Sequence, residues 1–116
     1  MISKQDVDTF LKEFKTKMKI FGIFYRDDRG KNAQTLADLE LRPIDRDKVL
    51  ENLKIEDYSD GPLEDTLYKG VDMWVFGKEI KKNDIYIKIS IGYAGARVIC
   101  ISFHIAEHNM NYPFKP

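Results

Sequence analysis

The sequence predicts an α+β fold in a single domain spanning residues 1–116, with N-terminal helices packed on a C-terminal antiparallel β-meander. Apolar residues recur at helical spacing near the N-terminus, whereas they alternate with a period of two between residues 83 and 104. A chain of 116 residues that is 43% hydrophobic can build one core, and it is too short for two ordinary domains. We therefore expect one two-layer domain.

The first half of the chain has the spacing of short helices. Ser3 is positioned to cap a first helix, and the run IFGIFY after it suits either a strand or the end of that helix. RDDRGKN is typical of a loop, and Asn32 is predicted to cap a second helix in NAQTLADLEL. The buried stripe of the first helix is predicted to contain Val7, Phe10, Leu11, Phe14 and Met18.

A third helix is predicted in DRDKVLENL, with Asp45 as its cap and a buried stripe of Val49, Leu50 and Leu53. YSDGP contains strong turn residues and is predicted to end the helical half. The remaining residues then belong to the sheet.

Three strands are predicted at residues 71–80, 84–92 and 96–104, joined by the turns KKND and GYAG. Alternation predicts that one face packs on the helices, and this face would contain Ile85, Ile87, Ile89, Ile91, Ile99, Ile101 and Phe103. The opposite face would then contain Tyr86, Lys88, Ser90, Cys100, Ser102 and His104. Antiparallel pairing across the GYAG turn predicts that Tyr86 lies opposite His104 or nearly so.

This polar face has two interpretations. Tyrosine is common on strands, and an exposed lysine or histidine needs no function to explain it. The alternative is a site, because a phenol, an ammonium group and an imidazole would share one surface.

The two histidines and one cysteine give little support for a metal site. Cys100 has no partner for an internal disulfide and is predicted to fill space in the sheet. His104 and His108 are four residues apart, but His104 ends a strand, so the pair should not share a helical face. We predict neither a metal nor another cofactor.

Charge and hydropathy limit the environment of the protein. No apolar run is long enough to span a membrane and the N-terminus lacks a signal-peptide core, so we expect a soluble, cytoplasmic protein without membrane contact. The net charge is zero, yet residues 1–32 carry 8 basic and 5 acidic side chains, residues 33–66 carry 4 and 10, and residues 67–116 carry 7 and 4. Basic ends would attract phosphate, although a mixed solvated surface explains the same counts.

Five segments in order resemble the MqsR-type toxins of bacterial toxin–antitoxin pairs, within the RelE-like ribonuclease superfamily. The resemblance covers roughly residues 33–104 and is carried by LADLEL, VLENLKIEDY, MWVFGKEI, DIYIKISI and VICISFH. It implies a RelE-like two-layer fold and a type II toxin that cleaves single-stranded mRNA without a metal. It also implies a cognate antitoxin that contains zinc and a helix-turn-helix region.

Carried over by position, the resemblance assigns catalytic roles to Tyr86, Lys88 and His104, although the family's basic catalytic residue at the position of His104 is of a different type. The sequence departs from the family at Asp60, where a lysine is expected, and at Val75, where a glutamine is expected. It also continues beyond His104, where the family usually ends.

The chemistry of these side chains fits RNA cleavage. Histidine can give or take a proton near neutral pH, lysine can balance charge on a phosphoryl group, and tyrosine can relay a proton or stack on a base. Further contacts with RNA are predicted for Arg26, Arg29, Lys31, Lys78 and Trp74. The alternative function is a non-catalytic protein-interaction module that uses the same sheet face, with Trp74 and Tyr86 as contacts.

The acidic middle segment is a second candidate surface. A basic antitoxin would be attracted to it by charge complementarity, although an ordinary solvated helix face is an equally good interpretation. The residues concerned are Asp45, Asp47, Glu51, Glu56, Asp57 and Asp60.

Overall fold

The computed structural model describes residues 1–28, 30–65 and 70–116. Helix α1 extends over Lys4–Phe21 and begins as predicted, because the Ser3 hydroxyl accepts a hydrogen bond from the Asp6 N–H at 3.1 Å. The Asp6 carboxylate in turn accepts from the Ser3 N–H at 2.9 Å. All five predicted stripe residues of α1 are buried.

Helices α2 (Gly30–Asp38) and α3 (Asp45–Glu51) differ from their predicted starts. α2 begins two residues before Asn32, so the prediction of Asn32 as its cap is wrong; this side chain is buried against the sheet. Asp45 is the first residue of α3 and accepts a hydrogen bond from the Arg42 N–H, so it is not the cap either. Leu50 and Leu53 are buried as predicted.

The sheet contains five strands in the order β1-β5-β4-β3-β2. The strands are β1 Ile23–Tyr25, β2 Tyr58–Leu63, β3 Met73–Ile80, β4 Asn83–Ser90 and β5 Val98–Ile105. The predicted meander is confirmed in β3, β4 and β5, but the sheet is mixed because β1 pairs with β5 in parallel. The α+β class is confirmed and the purely antiparallel arrangement is wrong.

The prediction of a turn at YSDGP is also wrong. These residues belong to β2, which follows a 3₁₀ turn at Ile55–Asp57 and pairs with β3 at the edge of the sheet. Pro62 is tolerated there because an edge strand needs no hydrogen-bond donor on its open side. YSDGP thus follows the last helical turn, as predicted, but it forms a strand rather than a turn.

A β-bulge in β5 changes which side chains face the helices. Lys88 pairs with Ser102 whereas Ile89 pairs with Cys100, so β5 contains one extra residue. Cys100 consequently lies in the core, and Ile99 and Ile101 lie on the opposite face with Lys88. The predicted orientation of these three residues is wrong because simple alternation assumes an uninterrupted strand, whereas Phe103 is buried as predicted.

The core lies between α1 and one face of the sheet. Phe10 of α1 stacks on Trp74 of β3 with ring centroids 4.5 Å apart, and Ile85, Ile87 and Ile89 are completely buried. The C-terminal tail, residues 106–116, contacts the other face. Within the described ranges, no helix is long and apolar enough to cross a membrane.

Candidate functional site

The polar side chains of β4 and β5 come together on the sheet face opposite α1. Tyr86 and His104 are register partners, and their rings stack with centroids 5.3 Å apart and planes inclined by 17°. The Lys88 Nζ atom lies 5.9 Å from the centroid of the Tyr86 ring. The predicted pairing of Tyr86 with His104 is therefore confirmed.

These three side chains line a cavity of about 610 Å³, called here the polar cavity. Asp60 of β2 and Val75 of β3 also line it, beside the three candidate residues. The polar cavity thus contains a carboxylate and an isopropyl group at the two positions where the predicted resemblance led us to expect a lysine and a glutamine.

The C-terminal tail forms another wall of the polar cavity. It leaves β5 with the Ala106 N–H donating to the Asp84 carbonyl at 2.8 Å, and it ends with Phe114 stacked on Tyr58 at 5.5 Å. Between these points the Tyr112 hydroxyl occupies the space where a side chain at position 77 would lie, which is why Gly77 suits this position in β3. The tail thus crosses the face that contains Tyr86 and reaches the core side of the sheet at the edge strand β2, because Tyr58 belongs to the core.

The tail brings His108 into the polar cavity. The sequence showed that the chain continues past His104, but nothing in the spacing of a non-repetitive segment indicates that it folds back over the sheet. As predicted, His104 and His108 do not share a helix, because His104 lies in β5 and His108 lies in the tail.

The backbone of β5 orients the His104 ring. Its Nδ1 atom lies 3.0 Å from the Ile105 carbonyl oxygen. A carbonyl only accepts hydrogen bonds, so Nδ1 carries the proton in this contact and Nε2 of the neutral ring carries a lone pair. His104 in this tautomer has the form required of a general base.

A surface ion pair borders the same cavity. Lys31 Nζ lies 2.7 Å from Glu107 Oε1, and this hydrogen bond is the main cause that lowers the pKa of Glu107 below its ordinary value. More than half of each side chain is exposed, so water screens the pair strongly. Lys31 lines the polar cavity.

The other predicted RNA contacts are dispersed. Arg26 lies on the same sheet face and pairs with Asp28 at 3.2 Å, and Arg29 lies outside the described residues. Lys78 lies on the α1 side and contacts Asp57 at 3.0 Å. The structure therefore does not bring this set together.

Trp74 also lies on the α1 side, where it packs on Phe10. The prediction that Trp74 and Tyr86 share one face is wrong. Trp74 pairs with the buried Ile89, and residues paired across two strands lie on the same face.

The acidic middle segment does not form a common surface. Asp57 is buried in its ion pair with Lys78, Asp60 lines the polar cavity, and Asp47 accepts a hydrogen bond from Tyr25. The idea that all six carboxylates face one partner is therefore wrong.

Cys100 packs in the core as a small apolar residue, which agrees with its predicted structural role. It is fully buried, and burial raises the pKa of its thiol to about 12. In the described part of the chain, no three histidine, cysteine, aspartate or glutamate side chains are grouped so as to hold a metal ion.

No protein-family model, curated protein or solved structure matches this chain. The similarity to MqsR-type toxins therefore stays a prediction.

Proposed function

We propose that the protein is a metal-independent endoribonuclease that acts on single-stranded mRNA as the cytoplasmic toxin of a bacterial type II toxin–antitoxin system. The observation that carries this proposal is the stack of His104 on Tyr86 beside Lys88 in one polar cavity. The arrangement of α1 on one side of the sheet and this cavity on the other is compatible with a RelE-like fold.

The proposed reaction is attack of the ribose 2′-oxygen on the adjacent phosphorus. Nε2 of His104 takes the proton of the 2′-hydroxyl as the new phosphorus–oxygen bond forms. The bond from phosphorus to the 5′-oxygen breaks, and that oxygen receives a proton from an acid, for which the cavity offers Tyr86 and His108. The products are a 2′,3′-cyclic phosphate and a free 5′-hydroxyl.

Charge on the reacting phosphoryl group requires a nearby cation. Lys88 follows Tyr86 by two residues on β4 and lines the polar cavity, so its ammonium group can balance the oxygens of the transition state. Lys31 lies at the rim of the cavity and can bind a neighbouring phosphate of the RNA if its ion pair with Glu107 opens.

The departures from the toxin family at Asp60 and Val75 can be compensated from within the chain. Asp60 and Val75 lack the cationic and amide groups of the family, whereas the C-terminal tail adds His108 to the cavity. We infer that proton transfer in this protein has moved partly to the tail.

The resemblance also suggests a cognate antitoxin with a zinc site and a helix-turn-helix region. A small neighbouring reading frame with paired CxxC motifs would support this partner. The alternative function, a non-catalytic interaction module, would use the face containing Tyr86 and would require no RNA cleavage.

Incubation of the purified protein with single-stranded RNA in EDTA tests the proposal. We expect fragments that end in cyclic phosphate, and a His104→Ala variant should cleave about 10² to 10⁴ times more slowly, the usual contribution of a positioned acid or base. The melting temperature of this variant should stay near that of the wild type, since His104 is only partly buried.

Tyr86→Phe separates two roles of the neighbouring ring. This variant keeps the stacking surface and loses only the hydroxyl, so loss of cleavage indicates proton transfer, whereas retention indicates stacking or no role for Tyr86. Absence of cleavage by the wild type, with and without ribosomes, would refute the nuclease and favour the interaction module.

A further inference from the structure

A second cavity lies beside the polar cavity on the same sheet face. It has a volume of about 460 Å³ and includes Ile99 and Ile101 of β5. These two side chains reach it because the bulge in β5 shifts the alternation, as described above. We call it the apolar cavity.

Exposed apolar side chains border the apolar cavity. Phe24 of β1 is 42% exposed, Tyr93 in the loop between β4 and β5 is 57% exposed, and Val71 is 41% exposed. Large apolar side chains exposed together at a concave surface are typical of a binding site. The two aromatic rings are also the groups on which a flat ligand can stack.

The charges around the apolar cavity suit a nucleotide. Lys88 lines both cavities, and the guanidinium carbon of Arg97 lies 5.1 Å from the centroid of the Phe24 ring. Glu64 and Asp65 supply carboxylates, which accept hydrogen bonds from amino and imino groups such as those on base edges. An aliphatic side chain of a partner protein would match only the apolar surface, whereas a nucleotide also matches the charged groups at its border.

We propose that the apolar cavity binds one unpaired nucleobase of an RNA strand whose adjacent phosphate lies at Lys88. This inference rests on the proposed nuclease function and adds to it a base-binding subsite. Stacking on aromatic rings is the general means by which proteins hold single-stranded bases. The carboxylates would favour bases that carry hydrogen-bond donors.

The chain offers a matched pair of variants for the test. Phe24→Ala removes a ring from the apolar cavity, whereas Phe21→Ala removes a ring of nearly equal exposure, 45%, that lines neither cavity. Tyr93→Ala is a second test variant. Lys17 and the Ala96 N–H donate hydrogen bonds to the backbone carbonyl of Tyr93, and this carbonyl is retained in the variant. This variant should therefore fold even if Phe24→Ala does not.

Affinity is measured by fluorescence anisotropy with a labelled single-stranded RNA of mixed sequence, each variant being combined with His104→Ala so that the RNA stays intact. We expect Phe24→Ala and Tyr93→Ala each to weaken binding about tenfold, a loss within the range of one base–aromatic stack, and Phe21→Ala to change it less than twofold. Methyl NMR spectra should show shifts of Ile99 and Ile101 on addition of the RNA, with Ile20 as the unshifted control.

The outcomes distinguish the subsite from the nuclease itself. If wild-type protein neither binds nor cleaves RNA, the proposed function fails and the subsite with it. If it cleaves RNA while Phe24→Ala and Tyr93→Ala bind like Phe21→Ala, only the subsite is refuted. If these variants lose a partner protein but keep their RNA affinity, the apolar cavity belongs to that partner and the inference is overturned.

Discussion

Replacement of Asn32 by alanine should strongly destabilise the fold, because this side chain replaces a strand at the edge of β5. β1 pairs with β5 only as far as Cys100, and beyond that point the amide of Asn32 supplies the missing hydrogen bonds. Its Nδ2 donates to the carbonyls of Arg26 and Ile101 at 3.0 and 3.1 Å, and its Oδ1 accepts from the Phe103 N–H at 3.0 Å.

The size of the effect follows from these three contacts. Asn32 is 2% exposed, so water cannot easily replace the lost partners. At a net value of about 1 kcal/mol for each hydrogen bond, the variant should lose roughly 3 kcal/mol of unfolding free energy. With an unfolding entropy of about 2.1 cal/mol/K per residue, that loss corresponds to a decrease in melting temperature of about 12 °C for a chain of this length.

Thermal and urea unfolding followed by circular dichroism measure this change. Gln34→Ala is the control, since Gln34 lies in the same helix, is exposed and donates a hydrogen bond to the exposed Asp38. We expect that control within 0.5 kcal/mol of the wild type, as for most surface substitutions. Equal stability of Asn32→Ala and Gln34→Ala would show that the amide does not sustain the edge of β5.

Two further predictions concern titratable groups. Cys100 should resist alkylation by iodoacetamide in the native protein at pH 8 and react on unfolding in urea, because burial raises its thiol pKa to about 12; rapid native labelling would contradict its place in the core. The hydrogen bonds from Ser3 lower the pKa of Asp6 below its ordinary value of 3.8. The stability that these hydrogen bonds provide is therefore present above pH 3.8, and it is lost as the pH falls through the lowered pKa. Asp6→Asn should therefore weaken the dependence of the melting temperature on pH at the acid end, and an unchanged slope would contradict the capping box.

Much of the candidate site could be predicted from residue order. Tyr86 and Lys88 are separated by two positions, which places them on one face of any regular strand, and antiparallel pairing of β4 with β5 brings His104 opposite Tyr86. The stripe of α1 was equally predictable because its apolar spacing repeats with the helical period over several turns. These features depend on local geometry, and local geometry is encoded in nearby residues.

The rest depended on contacts between residues distant in the sequence. The bulge in β5 places Ile99 and Ile101 on the face that contains Lys88, and it places Cys100 in the core. The position of this bulge depends on how β5 packs against the whole sheet. Helical spacing predicted that Asn32 caps α2. Its side-chain amide instead forms hydrogen bonds with the backbone of β5, about seventy residues later in the sequence.

The C-terminal tail is the clearest case. The tail can lie over β3 because Gly77 has no side chain there. No periodicity within the tail predicts this contact with a residue much earlier in the sequence. The sequence alone thus determined the helix α1, the meander and the pairing of Tyr86 with His104. Only the tertiary structure decided which side chains line the two cavities. The lining depends on how segments that are distant in the sequence pack against one another.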